Sequence, residues 1–111
     1  MTLSVFAALF QLRCQQTPRS AEDRGARVFV RSCSGCHGMD GRGGRRVGLH
    51  ATSRNLADPA FHASVSDEAL RSTIKNGKGA MPAFGALLDP QELNDLILFL
   101  RSLPKRTSTA R

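Results

Sequence analysis

Residues 33–37 read Cys33-Ser34-Gly35-Cys36-His37. Two thiols three positions apart, with an imidazole directly after the second, is the spacing for covalent haem attachment. The physical reason is reach: each thiol can add to one of the two haem vinyl groups, and the adjacent His then lies under the iron as its proximal ligand. Two other chemistries share part of the pattern. A thioredoxin-like pair wants a strand–helix context with its cysteines at a helix N-terminus, whereas these follow the C-terminal end of a predicted helix. A zinc site wants a fourth ligand, from His50, His62 or Cys14, and no second Cys-x-x-Cys exists. The haem reading ranks ahead of both.

Downstream lies Asn76-Gly77-Lys78-Gly79-Ala80-Met81-Pro82-Ala83-Phe84-Gly85. Taken alone, Met81 reads as a flexible core filler. Beside the Cys-x-x-Cys-His stretch, with Gly residues that let backbone approach a porphyrin and Pro82 stiffening the loop, it reads as the distal iron ligand. Met39 follows His37 by two residues and cannot reach the opposite haem face. Thioether sulfur on one side and imidazole on the other saturate the iron, and the soft sulfur favours the ferrous state and raises the potential. With no open position for substrate, the expectation is electron transfer without catalysis. A labile Met81 would instead give a gas-binding haem protein.

The 111 residues make one small domain, 41% hydrophobic, with no Trp, no Tyr and six Phe. So lean a chain buries only about two-thirds of its unfolded surface, and a bound apolar group would help to fill its core. The formal net charge is +7. Most of the excess lies between Arg13 and Arg54, where nine Arg face only Glu22, Asp23 and Asp40. Nucleic acid is excluded as the partner, since the sequence shows no recognition-helix pattern, no paired zinc-finger spacing and no aromatics interleaved with the arginines. Arg42, Arg45 and Arg46 follow the haem motif, and Lys75 and Lys78 precede Met81. These five are the candidate partner surface, a positive rim that would steer the chain onto acidic patches of a redox partner.

The remaining pattern is helical, which makes the chain all-α. Ser20 caps a helix over about Ala21–Cys33, with Glu22 and Asp23 in its first turn and Ala26, Phe29 and Val30 on one face. Ser34 to Asn55 holds six Gly and reads as a long loop without regular structure. Asp58-Pro59 opens a short turn or helix through Phe61 and His62, and Ser66 starts a helix that carries Leu70 and Ile74 and stops at Asn76-Gly77. Asp89, Pro90 and Glu92 form a capping box. The helix that follows aligns Leu93, Leu96, Ile97, Leu100 and Leu103, and Pro104 is expected to end it. Residues 1–19 read as a leader or anchor-like segment, 20–104 as the functional domain and 105–111 as a basic tail. The apolar run Leu3–Phe10 falls far short of the roughly 20 residues that span a bilayer, though Met1–Leu12 is a candidate tether and Cys14 a candidate for lipidation.

From about Ala21 to Leu103 the chain resembles a class I monohaem cytochrome c, of the kind found in cytochrome c6 and the haem subunits of cbb3-type oxidases. The resemblance is carried by Gly25 and Phe29 ahead of Cys33-x-x-Cys36-His37, then by Asn55-Leu56-Ala57-Asp58-Pro59, Gly77-x-x-x-Met81-Pro82-Ala83-Phe84, and Leu93–Leu103 with Phe99. It implies a fold of three to five helices around one covalent haem c, the N- and C-terminal helices crossing near Gly25 and Phe99. It also implies shuttling of single electrons between partners such as an oxidase, dehydrogenase or reductase, or a place as the haem-bearing subunit of a larger complex. Family members usually carry a Pro about a dozen residues after the haem His, whose carbonyl accepts the imidazole N–H. This chain has no Pro between Pro18 and Pro59; a carbonyl near Val47 is one candidate substitute, and the sequence leaves open which carbonyl serves. Covalent attachment of this kind takes place outside the cytoplasm in bacteria, so a periplasmic or outer membrane-face location is expected.

Overall fold

A computed structural model describes residues 20–109. The leader and Cys14 lie outside the described residues. The element order is α1 (Ala21–Ser32), α2 (Ser34–His37), β1 (Arg46–Val47), β2 (Ala51–Thr52), α3 (Pro59–Ser64), α4 (Asp67–Asn76) and α5 (Pro90–Thr109).

Each longer helix starts where a side chain can take up orphan N–H groups. Ser20 Oγ accepts from the Asp23 N–H at 3.1 Å, and Ser66 Oγ from the Ala69 N–H at 3.0 Å. Asp58 Oδ1 accepts from Ala60 N–H at 2.9 Å ahead of Pro59. The capping box at α5 closes in both directions: the Glu92 N–H donates to Asp89 Oδ1 at 2.8 Å and the Asp89 N–H to Glu92 Oε2 at 3.1 Å.

The core lies where α1 crosses α5. From α5 come Leu93, Leu96, Ile97, Phe99, Leu100 and Leu103, all buried. From α1 come Gly25, Val28 and Phe29. Fully burying Phe29 or Leu96 contributes about 1.5–3 kcal/mol each. The Phe29 and Phe99 rings sit 5.2 Å apart, tilted by 49°. Gly25 sets the closeness of the crossing: a Cβ there would stand 1.9 Å from the Asp95 carbonyl oxygen and 2.9 Å from Phe99 Cβ. Charged pairs rim the crossing, with Arg24 on Asp95 at 2.8 Å, Arg31 on Glu92 at 2.9 Å, and Arg106 on Glu22.

Four sequence expectations need correction. Val30 does not share the buried face of α1: it is 48% exposed, and Val28 takes that place at 4%. The segment 34–55 is not wholly irregular, since it holds the single turn α2 and an antiparallel hairpin pairing Arg46 with Thr52 and Val47 with Ala51. Strands of two residues are too short to show alternation. Pro104 does not end α5, which runs on to Thr109. Proline removes one hydrogen bond from a helix interior, but the turns beyond it are tied both to α1 and back onto α5 itself. The Arg106 guanidinium lies over the Phe99 ring at 5.3 Å while pairing with Glu22, and Ser108 Oγ donates to the Pro104 carbonyl. Residues 105–109 are therefore helical. The fourth correction concerns the partner of His37.

Candidate functional site

α2 is one turn long and continues the chain from the end of α1. The Cys33 N–H still donates to Phe29 O at 2.8 Å, while Cys33 O accepts from Cys36 and His37 at 3.2 and 2.9 Å. Spacings of three and four residues on a helical turn bring Cys33, Cys36 and His37 to one face. Gly38, at φ 81°, ends the turn. Cys33 and Cys36 form no disulfide with each other, Cys33 being half-buried and Cys36 exposed.

Desolvation pushes the Cys33 thiol up to about 11, with Cys36 adding to the rise and Arg31 opposing it. A dithiol built for exchange has a lowered pKa. Cys33 has the reverse, which counts against thioredoxin-like chemistry. Among the described residues no three His, Cys, Asp or Glu side chains converge as a metal cluster would require.

His37 Nδ1 lies 3.0 Å from the carbonyl oxygen of Arg54. A carbonyl only accepts, so Nδ1 carries the proton and Nε2 is left with its lone pair. The partner is thus Arg54, not a carbonyl near Val47; Val47 is spent on pairing with Ala51. Main-chain bonds hold the arrangement. Gly43 N–H donates to His37 O, Gly44 N–H to Ser53 O and Ser53 N–H to Arg45 O, each at 2.8 Å. The buried Ser53 hydroxyl accepts from Arg45 N–H at 3.2 Å.

Met81 stands in the loop after α4. Its N–H and carbonyl both bond to Lys78, each at 3.0 Å, closing a tight turn through Gly79. Gly77, at φ 76°, starts the loop, and a Cβ there would meet Met81 O at 2.6 Å. Phe84 N–H to Ile74 O at 2.9 Å and Gly85 N–H to Lys75 O at 3.1 Å tie the loop back onto α4. Met81, Cys33, Leu56 and Phe84 are partly buried and pack at the margin of the core. The hairpin turn approaches this loop, since a methyl at Gly48 would lie 3.7 Å from Ala80 Cβ.

This donor set fits haem c. Two free thiols and an imidazole share one turn, the imidazole tautomer is fixed with Nε2 available, and a thioether stands on a braced loop at the same apolar margin. His50 is exposed in the hairpin turn. His62 is held between Leu56 O at 2.7 Å and the Arg101 guanidinium at 3.2 Å, so both its nitrogens are taken.

The candidate partner residues are all exposed but differ in freedom. Arg42 turns back onto Asp40, and Arg45 donates to Gly35 O at 3.2 Å. Among the described residues Arg46, Lys75 and Lys78 pair with no carboxylate. Leu49, in the turn between β1 and β2, is 84% exposed. Sequence reasoning missed Arg54 and Gly43, because a main-chain acceptor leaves no side-chain signature. The density of glycine before it was the one available signal of close backbone approach.

Residues 20–100 match the family model described as cytochrome c oxidase, cbb3-type, subunit III. A cytochrome c6 from Gloeothece citriformis is 37% identical over 76 residues, 68% of this chain and 66% of that protein. The cbb3-type cytochrome c oxidase subunit FixP of Azorhizobium caulinodans is 33% identical over 84 residues, 75% of this chain but 27% of that protein. Among solved structures, the KustC0563 c-type cytochrome superposes with a TM-score of 0.60 at 31% identity, covering 71% of this chain and 95% of that one. The chain thus spans about two-thirds of the cytochrome c6 and about a quarter of FixP.

Proposed function

This chain belongs to the class I c-type cytochromes, with covalently bound haem c as its cofactor, and we propose on that premise that it carries single electrons between redox partners with His37 and Met81 as axial ligands. Cys33 and Cys36 are the two thioether positions. When bound, the haem supplies the redox chemistry, a one-electron change at iron.

The chain's own residues do the rest. The Arg54 carbonyl holds the His37 ring in one tautomer and one orientation, which raises its basicity toward a metal. The Lys78–Met81 turn fixes the backbone from which the thioether projects. Leu56 and Phe84 keep water from that margin of the core. With His37 and Met81 both holding the iron, no position would be left for substrate, so the chain acts as a carrier and not as an enzyme. Arg46, Lys75 and Lys78, exposed candidate-surface cations that pair with no carboxylate among the described residues, draw in an acidic partner. The site of action is the outer face of the cytoplasmic membrane or the periplasm in bacteria. Among the described residues no helix is long and apolar enough to cross a membrane.

The observation that carries this reading is the 3.0 Å contact between His37 Nδ1 and Arg54 O, because it occupies Nδ1 and leaves Nε2 as the ring nitrogen available to iron. A second reading, a haem-bearing subunit of an oxidase, is favoured by the match to the cbb3-type model over residues 20–100. Copurification with a catalytic subunit separates it from the free carrier.

The test is an absorption spectrum of protein made with a haem-maturation system, oxidised and reduced, after acid–acetone extraction. Haem should stay with the polypeptide. A weak sulfur-to-iron band in the oxidised form should vanish in Met81→Ala. Covalent haem without that band, with carbon monoxide binding to the reduced form, would replace the carrier with a gas-binding protein. Absence of covalent haem would overturn the site assignment.

A further inference from the structure

We propose that Gly43 is a positioning residue for the redox centre: by lacking a side chain, it lets the Arg54 carbonyl reach His37 and so lowers the reduction potential. The inference rests on His37 being an iron ligand, as proposed above.

The geometry is specific to this glycine. Gly43 adopts φ +60°, and a Cβ there would stand 2.3 Å from Arg54 O, 2.6 Å from Arg54 C and 2.6 Å from Ser53 O. Even one methyl group would collide with the acceptor of the His37 hydrogen bond. The same residue donates its N–H to His37 O at 2.8 Å. Gly43 thus touches both partners of the His37–Arg54 contact, one through its own hydrogen bond and the other through the space it leaves. Its neighbour differs. Gly44 also has positive φ, at +75°, but a Cβ there would meet nothing within 4 Å. Left-handed backbone is common to both glycines, and crowding of the carbonyl belongs to Gly43 alone.

The consequence is electronic. A carbonyl accepting from Nδ1–H makes the imidazole a stronger donor through Nε2. A stronger donor favours the ferric state, so the hydrogen bond lowers the potential. Moving the carbonyl away weakens the donor and raises it. This is opposite in sign to loss of the Met81 thioether, which would lower the potential.

The experiment compares Gly43→Ala, Gly44→Ala and Ser53→Ala with the unmodified holoprotein. Two quantities are read for each: the midpoint potential and, by NMR of the reduced form, the solvent exchange of the His37 Nδ1 proton. Gly43→Ala should shift the potential upward and speed the exchange, whereas Gly44→Ala should move neither. A merely structural role would lower the melting temperature of Gly43→Ala and leave potential and exchange where they were, and that result would overturn the proposal. An equal upward shift in Gly44→Ala would also overturn it. Should Gly43→Ala fail to accumulate with haem, Ser53→Ala decides. It removes the hydroxyl that accepts from Arg45 N–H and loosens the same brace, so a smaller upward shift with faster exchange supports the proposal, and no change in either defeats it. Failure of the underlying ligand assignment is distinguishable, because it would appear in the unmodified protein as the absence of imidazole-ligand resonances.

Discussion

Arg24 on α1 and Asp95 on α5 meet at 2.8 Å across 71 residues of sequence, beside the point where Gly25 lets the two helices touch. Asp95 is buried, and Gln91 Nε2 supplies a further hydrogen bond at 2.9 Å. The Arg24 hydrogen bond holds the Asp95 carboxyl below the ordinary carboxylate range, against an opposing effect of burial and with help from Gln91. A depressed folded-state pKa stabilises the fold above the unfolded value of about 3.9 and ceases to do so as pH falls through the folded value. Asp95→Asn should therefore melt below the parent at neutral pH, with a gap that is steady down to about pH 5 and narrows below about pH 4. Thermal melts across that range check it, and a gap that stays constant in acid would refute the assignment.

Gly25→Ala should destabilise the chain by about 3 kcal/mol or more, because overpacking at a tight contact outweighs the gain in helix propensity of about 1 kcal/mol. The clash is with main chain, the Asp95 carbonyl at 1.9 Å, so no rotamer change relieves it. Urea unfolding measures the loss. A neutral or stabilised variant would show that α1 and α5 are further apart than described.

Leu96 and Leu98 lie two positions apart on one helix with opposite surroundings. Leu96 is fully buried at 0% exposure and Leu98 is 53% exposed. Leu96→Ala should cost about 2–5 kcal/mol through lost burial and a residual cavity, whereas Leu98→Ala should stay within about 0.5 kcal/mol. Equal losses would misplace the buried stripe of α5.

Lys75→Gln with Lys78→Gln should slow electron transfer to an acidic acceptor by a factor on the order of 10 at low ionic strength. The difference should shrink as salt shortens the Debye length to about 8 Å at 0.15 M. Stopped-flow rates over a salt series give the answer. A rate indifferent to both substitution and salt would remove these lysines from the docking surface.

Much of the fold was legible because helix starts are written in side chains. Ser20, Asp58, Ser66 and Asp89 each announce a cap that the structure contains, and the Leu93–Leu103 spacing gives the buried stripe. Cys33, Cys36 and His37 stand out in the sequence for a related reason, since the roles proposed for them reside in side-chain chemistry at fixed spacing, and the structure puts them on one turn. The hairpin was not, as four paired residues among glycines carry no period. Nor was the Arg54 carbonyl, 17 residues from His37, because any residue could supply it and only three-dimensional closure selects one. The end of α5 was misread at Pro104 because the ion pair that ties the helix beyond it, from Arg106 to Glu22, reaches to the far end of the sequence.

The pairing of the first described helix with the last has a consequence in time. Gly25, Val28 and Phe29 find their main packing partner in α5, the last of the described elements to be made. A ribosome or an export channel delivers the chain from its N-terminus, so Cys33, Cys36 and His37 emerge while the clasp between the two helices cannot yet shut. The proposed attachment turn is then still unfolded and open to an enzyme that acts on peptides. Closure awaits the last twenty residues of the described chain, a latch that can be drawn only once that turn has emerged.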